Sequence, residues 1–185
     1  MTTIKTKEAT ANNASQLHPF HSWELQQLEG PLFIDRSEGV HIWDTEGNKY
    51  IDAIAGMWCN NIGPSRKDMV DAISEQLLKN SYSNPFVTTT NPVTARAAAE
   101  LCKRAPDNIN HVFFTSGGST ANDMAFRIIQ LYNNLRGKAD KKAIILRGDA
   151  YHGSTLLTAS MTQVGRCSHS HYGWDQKAFI DTDGI

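Results

Sequence analysis

The stretch from His111 to Gly153 constrains the fold most, because it reads as strand, glycine-rich turn, helix, strand and second polar turn in close succession. His111-Val-Phe-Phe-Thr115 is a β-branched and aromatic run of the kind that forms a buried strand, and it stops at Ser116-Gly117-Gly118-Ser119. The two glycines are expected to let the backbone turn tightly. Ala121, Met124, Ala125, Ile128, Leu131, Tyr132 and Leu135 then recur at three- and four-residue spacing, which predicts a helix with Ser119 as N-cap and Gly137 at its C-terminal cap. Lys142-Ala-Ile-Ile-Leu-Arg147 returns as a second strand, and a strand-helix-strand unit favours a right-handed crossover to a parallel neighbour. A parallel pair would place the turn after Thr115 and the turn after Arg147 at one edge of the sheet, where open α/β folds bind ligands.

At that edge Gly118, Ser119 and Thr120 offer unpaired backbone N–H groups, a hydroxyl and the positive end of a helix, a set that suits a phosphate dianion. The helix dipole contributes only about 0.3–1 kcal/mol, so hydrogen bonds must carry most of the affinity. Tyr151-His152-Gly153 on the second turn adds a flat ring. Nucleotide phosphate loops are excluded, since no Lys-Ser/Thr pair follows Gly118-Ser119, and the dinucleotide glycine fingerprint is missing. What remains is a small phosphorylated ligand with an aromatic plane.

Phe113-Phe-Thr-Ser-Gly-Gly-Ser-Thr-Ala-Asn-Asp123, followed by Gly148-Asp-Ala-Tyr-His-Gly-Ser-Thr155, resembles the class III aminotransferases, and among them the omega-amino-acid and amine:pyruvate transaminases. The resemblance runs from about Pro31 onward. It implies an α/β chain of fold type I that uses pyridoxal 5′-phosphate (PLP), with Gly118, Ser119, Thr120, Tyr151, His152 and Gly153 as cofactor-binding residues. Tyr151 would stack on the pyridine ring, and His152 would be a buried hydrogen-bonding support for its loop. The substrates implied are a small amine and a keto acid. Two departures stand out: Thr120 occupies a place where the family commonly has Glu, and Ser116-Gly117 replaces its usual Asn-Ser. Loss of an anion beside a helix N-terminus does not oppose phosphate binding, although it alters the local hydrogen-bond network.

A chain of 185 residues can bury a core as one domain, and 18 basic against 19 acidic residues leave no large single-sign field. Nucleic acid and membrane are therefore not expected partners. No run reaches the roughly 20 apolar residues of a membrane-spanning helix, and Met1 to Ser15 has no apolar signal core, so a cytoplasmic location is expected. Cys59, Cys102 and Cys167 are odd in number and widely spaced, which favours free thiols over a disulfide framework or zinc site. His169 and His171 lie two apart with no Cys or carboxylate partner, and read as part of a solvated loop; no metal is expected.

Residues 1–16 are polar and aperiodic and read as an arm. Residues 17–64 read as part of a small N-terminal domain, with a short helix within His18 to Leu28 and a β-hairpin. Its strands are Val40–Trp43 and Lys49–Ala53, joined by Asp44-Thr-Glu-Gly-Asn48, with Trp43 and Tyr50 as apolar anchors. Residues 65–185 read as the first part of the large, mostly parallel-sheet domain. Ser65 caps a helix whose Met69, Val70, Ile73 and Leu77 form a core stripe. An extended segment from Phe86 to Pro92 precedes a helix from Thr94 to Arg104 that buries Ala97, Ala98 and Leu101. A further helix is expected past Thr155. On physics alone Trp58 is a core anchor sooner than a pocket wall, given the area an indole buries. The resemblance reverses this, implying that Trp58 lines the substrate pocket and that Phe86 reaches the active site of the partner subunit in a homodimer.

Aminotransfer also needs a Schiff-base lysine and an Asp against the pyridine nitrogen. In the family both come later in the chain, and none of the ten lysines here follows a strand end in a matching motif, so no catalytic residue is assigned. The expectation is an N-terminal portion of a transaminase, incomplete in its sheet and inactive alone. The alternatives are another fold type I activity, such as an aminomutase or decarboxylase, or a non-enzymatic phosphate-binding or interaction module.

Overall fold

The computed structural model describes residues 11, 15–19, 22–163 and 179–181. Two compact units divide at Ala95/Arg96. The first holds helix α1 (Trp23–Glu29), strands β1 (Ile34–Glu38), β2 (His41–Asp44) and β3 (Lys49–Ile51), and helix α2 (Lys67–Lys79). Helix α3 (Pro92–Arg104) spans the division. The second unit holds α4 (Gly118–Leu135), β4 (Ile144–Leu146), α5 (Leu156–Met161) and β5 (Phe179–Asp181).

In the first unit β1, β2 and β3 form an antiparallel sheet in that order. The expected hairpin is its β2–β3 half, and β1 is an addition that the alternation of Ile34–Glu38 does not announce. Asp44 builds the turn. Its carboxylate accepts from the N–H of Glu46 (2.9 Å) and Asn48 (2.8 Å), from Asn48 Nδ2 (2.9 Å) and from the Tyr50 hydroxyl (2.8 Å), while Gly47 takes φ +85°. Tyr50 is therefore tied by its hydroxyl rather than anchored by its ring. Register places Arg36 and Lys49 on either side of Trp43, the guanidinium carbon 3.7 Å and the ammonium 5.3 Å from the ring centroid. The indole is thus held by cations at the surface instead of in a core.

Helix α2 starts one residue later than expected. Ser65 has φ +58°, and the N-cap is Arg66, which makes no side-chain cap bond. Met69, Val70, Ile73 and Leu77 form the anticipated stripe, but all four are exposed, as is Leu101 on α3. Ala97 is exposed too, and Ala98 half-buried. These faces are amphipathic and uncovered. The segment after Phe86 turns instead of running extended: Val87 has φ +60°, and Thr89 donates its N–H to the Phe86 carbonyl at 3.3 Å.

In the second unit α4 ends in a Schellman motif, with Lys138 N–H on the Asn133 carbonyl (2.8 Å), Gly137 N–H on the Asn134 carbonyl (3.1 Å), and Gly137 at φ +73°. β4 and β5 pair in parallel, Ile144 opposite Phe179 and Leu146 opposite Asp181. The expected strand at His111–Thr115 is not one. Those residues have no ladder partner among the described residues, and Phe113 and Phe114 are exposed. Leu146 and Met161 are the buried apolar side chains among the described residues. No described helix is long and apolar enough to cross a membrane. His169 and His171 lie outside the described residues, and no metal-binding cluster occurs among the described ones.

Candidate active site

Helix α4 begins at Gly117, not at Ser119. Gly117 is extended (φ 177°, ψ 171°), its carbonyl accepts the Ala121 N–H at 2.9 Å, and the first-turn N–H groups of Gly118, Ser119 and Thr120 have no partner within the helix. Neither Gly117 nor Gly118 needs a left-handed backbone, and a Cβ on either would meet nothing within 4 Å. What these glycines provide is an uncovered backbone, a cup that an anion can approach closely. The Thr120 hydroxyl is turned back onto Gly117, receiving its N–H at 3.1 Å and donating to its carbonyl at 2.8 Å. Only the N–H of Thr120 is thus left facing the cup.

The turn after β4 reaches this helix end without the intervening strand pairing expected to align them. Ser154 donates its N–H to Ser119 Oγ at 3.0 Å, and Asn122 Nδ2 donates to the His152 carbonyl at 2.8 Å. Ser119 Oγ therefore serves as an acceptor for its own chain while its proton stays available to a ligand oxygen. Tyr151 is half exposed, with its hydroxyl 2.5 Å from Ser154 Oγ. Gly153 is buried at φ +143°, where a Cβ would overlap Thr158 and stand 2.8 Å from Ser119 Oγ. Here glycine is demanded by space and conformation together.

Helix α5 completes the cradle. Thr162, at its C-terminal end, is fully buried; its Oγ1 accepts the His152 N–H at 3.0 Å and lies 3.1 Å from the Gly153 carbonyl and 2.9 Å from that of Thr158. Gln163 N–H reaches the Ala150 carbonyl at 3.1 Å. His152 supports the loop through its backbone; its Nε2, like Asp123 Oδ1, is buried without a hydrogen-bond partner among the described residues. Asn122, Asp123, Thr158 and Thr162 were not singled out from the sequence. Polar residues in α4 and in or just after α5 that break the apolar periodicity are the signal that points to them.

Trp58 and Phe86 belong to the first unit, and both are exposed, at 79% and 75%. Trp58 ends a left-handed helical turn in which Ala55, Gly56, Met57 and Trp58 have φ between +50° and +66°. Such a conformation costs roughly 1–2 kcal/mol per non-glycine residue. Asp52 Oδ2 braces it by accepting the Gly56 N–H at 2.8 Å, and Cys59 Sγ donates to the Gly56 carbonyl at 2.7 Å.

The family model for aminotransferase class-III matches residues 24–180. This chain belongs to the class III aminotransferases. Putrescine–pyruvate aminotransferase of Pseudomonas aeruginosa is 39% identical over 162 residues, covering 87% of this chain and 36% of the relative. Among solved structures, an (S)-enantioselective omega-transaminase from Thermomicrobium roseum superposes with a TM-score of 0.90 at 33% identity, covering 98% of this chain and 40% of that one. The omega-transaminase of Pseudomonas jessenii, in complex with PMP, gives a TM-score of 0.90 at 31% identity, covering 95% and 39%. The α/β architecture is therefore that of the fold type I transaminases, over the part that this chain spans, which is between a third and two fifths of these relatives' length.

Proposed function

We propose that this chain forms the phosphate-holding and ring-facing part of a PLP-dependent transaminase that moves an amino group between an amine or omega-amino acid and a keto acid such as pyruvate. The observation that carries this reading is the junction of two turns: the open first turn of α4 and the Tyr151 loop, joined by the Ser154–Ser119 bond at 3.0 Å. Three N–H groups and the Ser119 hydroxyl are a donor set for a dianion, and Tyr151 stands on the adjoining loop as a ring to stack on. When bound, PLP supplies an electron sink for the carbon that gains or loses the amino group. The residues here bind and orient it. None is a catalytic residue, and the 185 residues alone are expected to hold PLP weakly and transfer no amino group.

Trp58 is assigned to the wall of the amine pocket, supported by an exposed indole on a strained, braced turn, since strain of this kind collects at functional sites. Phe86 is assigned to the same pocket across a homodimer, supported by its exposure in a chain with wide uncovered apolar faces. Residues 17–64 are read as small-domain and 65–185 as large-domain sequence, in a cytoplasmic protein without nucleic-acid or membrane partners.

In the holoenzyme, Ser119→Ala should weaken PLP retention by about 1–3 kcal/mol, the cost of one charge-assisted hydrogen bond. Equilibrium dialysis against PLP measures this directly, and unchanged affinity would remove Ser119 from the site.

A further inference from the structure

The Tyr151 loop is gripped from two elements by side chains that face backbone rather than ligand. Thr162, 0% exposed, takes the His152 N–H at 3.0 Å, and Asn122 gives Nδ2 to the His152 carbonyl at 2.8 Å. A peptide unit is planar, so a bond to the His152 N–H fixes the plane it shares with the Tyr151 carbonyl, and a bond to the His152 carbonyl fixes the plane it shares with the Gly153 N–H. Both peptide planes flanking His152 are thereby set. Upstream of them stands Tyr151, whose remaining freedom is its side-chain torsions, and its hydroxyl lies 2.5 Å from Ser154 Oγ. Ser154 in turn is bonded through its N–H to Ser119. The height of the Tyr151 ring above the phosphate cup is therefore a property of this framework.

We propose that Thr162 and Asn122 are positioning residues: two jaws that hold the Tyr151 ring at a fixed distance from the cup at Ser119. The proposal rests on the site reading above. Neither residue needs to touch PLP or substrate. Each acts through the His152 backbone, Thr162 from the end of α5 and Asn122 from the first turns of α4. Loosening either jaw should let the ring tilt, which weakens stacking and misorients the bound cofactor.

The experiment uses the holoenzyme with PLP as probe. Thr162→Val keeps the shape and removes the hydroxyl; Thr162→Ser keeps the hydroxyl; Asn122→Ala removes the other jaw at an exposed helix position, where folding is not at stake. Thr162→Val and Asn122→Ala should each raise the PLP dissociation constant about tenfold, the effect of one lost hydrogen bond, and reduce the visible circular dichroism of the bound cofactor. Thr162→Ser should stay within about twofold of the parent. If the two disruptive variants lower the melting temperature yet leave the dissociation constant and the dichroic band unchanged, the residues are merely structural and the proposal is overturned. A parent protein that binds no PLP would instead overturn the reading of the site, and the proposal with it.

Discussion

Along the loop from Ala150 to Thr155 the backbone is enclosed by side chains of its own neighbourhood: Thr158 and Thr162 are fully buried, Gly153 has no room for a methyl group, and Asn122 and Ser119 complete the enclosure from α4. Along α2 the opposite holds. Met69, Val70, Ile73 and Leu77 recur at ideal helical spacing, yet each keeps 41–54% of its surface in solvent. The polar cradle closes within residues 117–163, so every group that it needs is in the chain. The apolar stripe finds no cover among the described residues. Periodicity says that a helix face will be covered and not by what, whereas a hydrogen-bond network names both ends of each bond.

The sharpest way to break the cradle is at Gly153. A Cβ there would overlap Thr158 Oγ1, approach Thr158 Cβ to 2.6 Å and Ser119 Oγ to 2.8 Å, at a φ of +143° that L-residues avoid. Gly153→Ala should therefore cost about 3 kcal/mol, from overpacking and backbone strain together. Gly117→Ala supplies the control: its backbone is extended and a Cβ meets nothing within 4 Å, so its loss should be about 1 kcal/mol, the difference between glycine and alanine as an N-cap. Chemical denaturation of the two variants measures the difference. Equal losses at both positions would mean that the loop is not threaded between α4 and α5 as described.

The stripe is tested by charge. Ile73→Lys with Leu77→Lys changes a face exposed in this chain, so the 185 residues expressed alone should become more soluble. In an assembly that covers this face, each substitution should cost about 1.5–3 kcal/mol, the worth of one buried aliphatic side chain. Sedimentation and unfolding of both forms would decide it. Indifference of the assembled protein would show that the face stays in solvent.

The meeting of the two turns was legible because each turn is local chemistry. Gly117 to Thr120 and Tyr151 to Gly153 were expected to converge from turn chemistry, and the Ser154–Ser119 and Asn122–His152 bonds bring them together. The route was misjudged: the His111–Thr115 run has strand composition, but a strand exists only where another pairs with it, and no ladder reaches it among the described residues. Helix starts were misplaced, by two residues at α4 and by one at α2, since Ser119 Oγ accepts the Ser154 N–H instead of capping its own helix and Ser65 adopts a positive φ. Asn122 and Thr162 escaped notice because their targets are backbone atoms 30 and 10 residues away, which side-chain identity does not encode. Trp58 shows the remaining limit: an indole reads as core by area, and the left-handed turn that leaves it exposed is not encoded in composition or spacing.

The smallest expected effect sets the Asp44 turn against the Thr162 cradle by pH. Asp44 is held below the ordinary carboxylate value chiefly by the Asn48 side-chain amide; burial pushes the other way, and the Tyr50 hydroxyl with the N–H groups of Asn48 and Glu46 add to the lowering. Tyr50 is pushed up in turn by donating to Asp44. Near pH 4 the folded turn therefore binds fewer protons at Asp44 than the unfolded chain does. Its contribution is full above the unfolded value of about 4 and is lost as pH falls through the lower folded value. The Tyr50 contribution is full below about 10 and is lost as pH rises through its raised folded value. The bonds holding the His152 backbone use a hydroxyl, a carboxamide and peptide groups, none of which titrates in the acid range. Amide exchange, corrected for intrinsic rates, should show Glu46 and Asn48 losing protection below about pH 4 while the His152 amide keeps its own. Asp44→Asn should lower protection in the turn at neutral pH and abolish its acid step. A step that survives in Asp44→Asn would assign the acid sensitivity to another group. A His152 amide that loses protection together with Glu46 would make the two regions one cooperative unit.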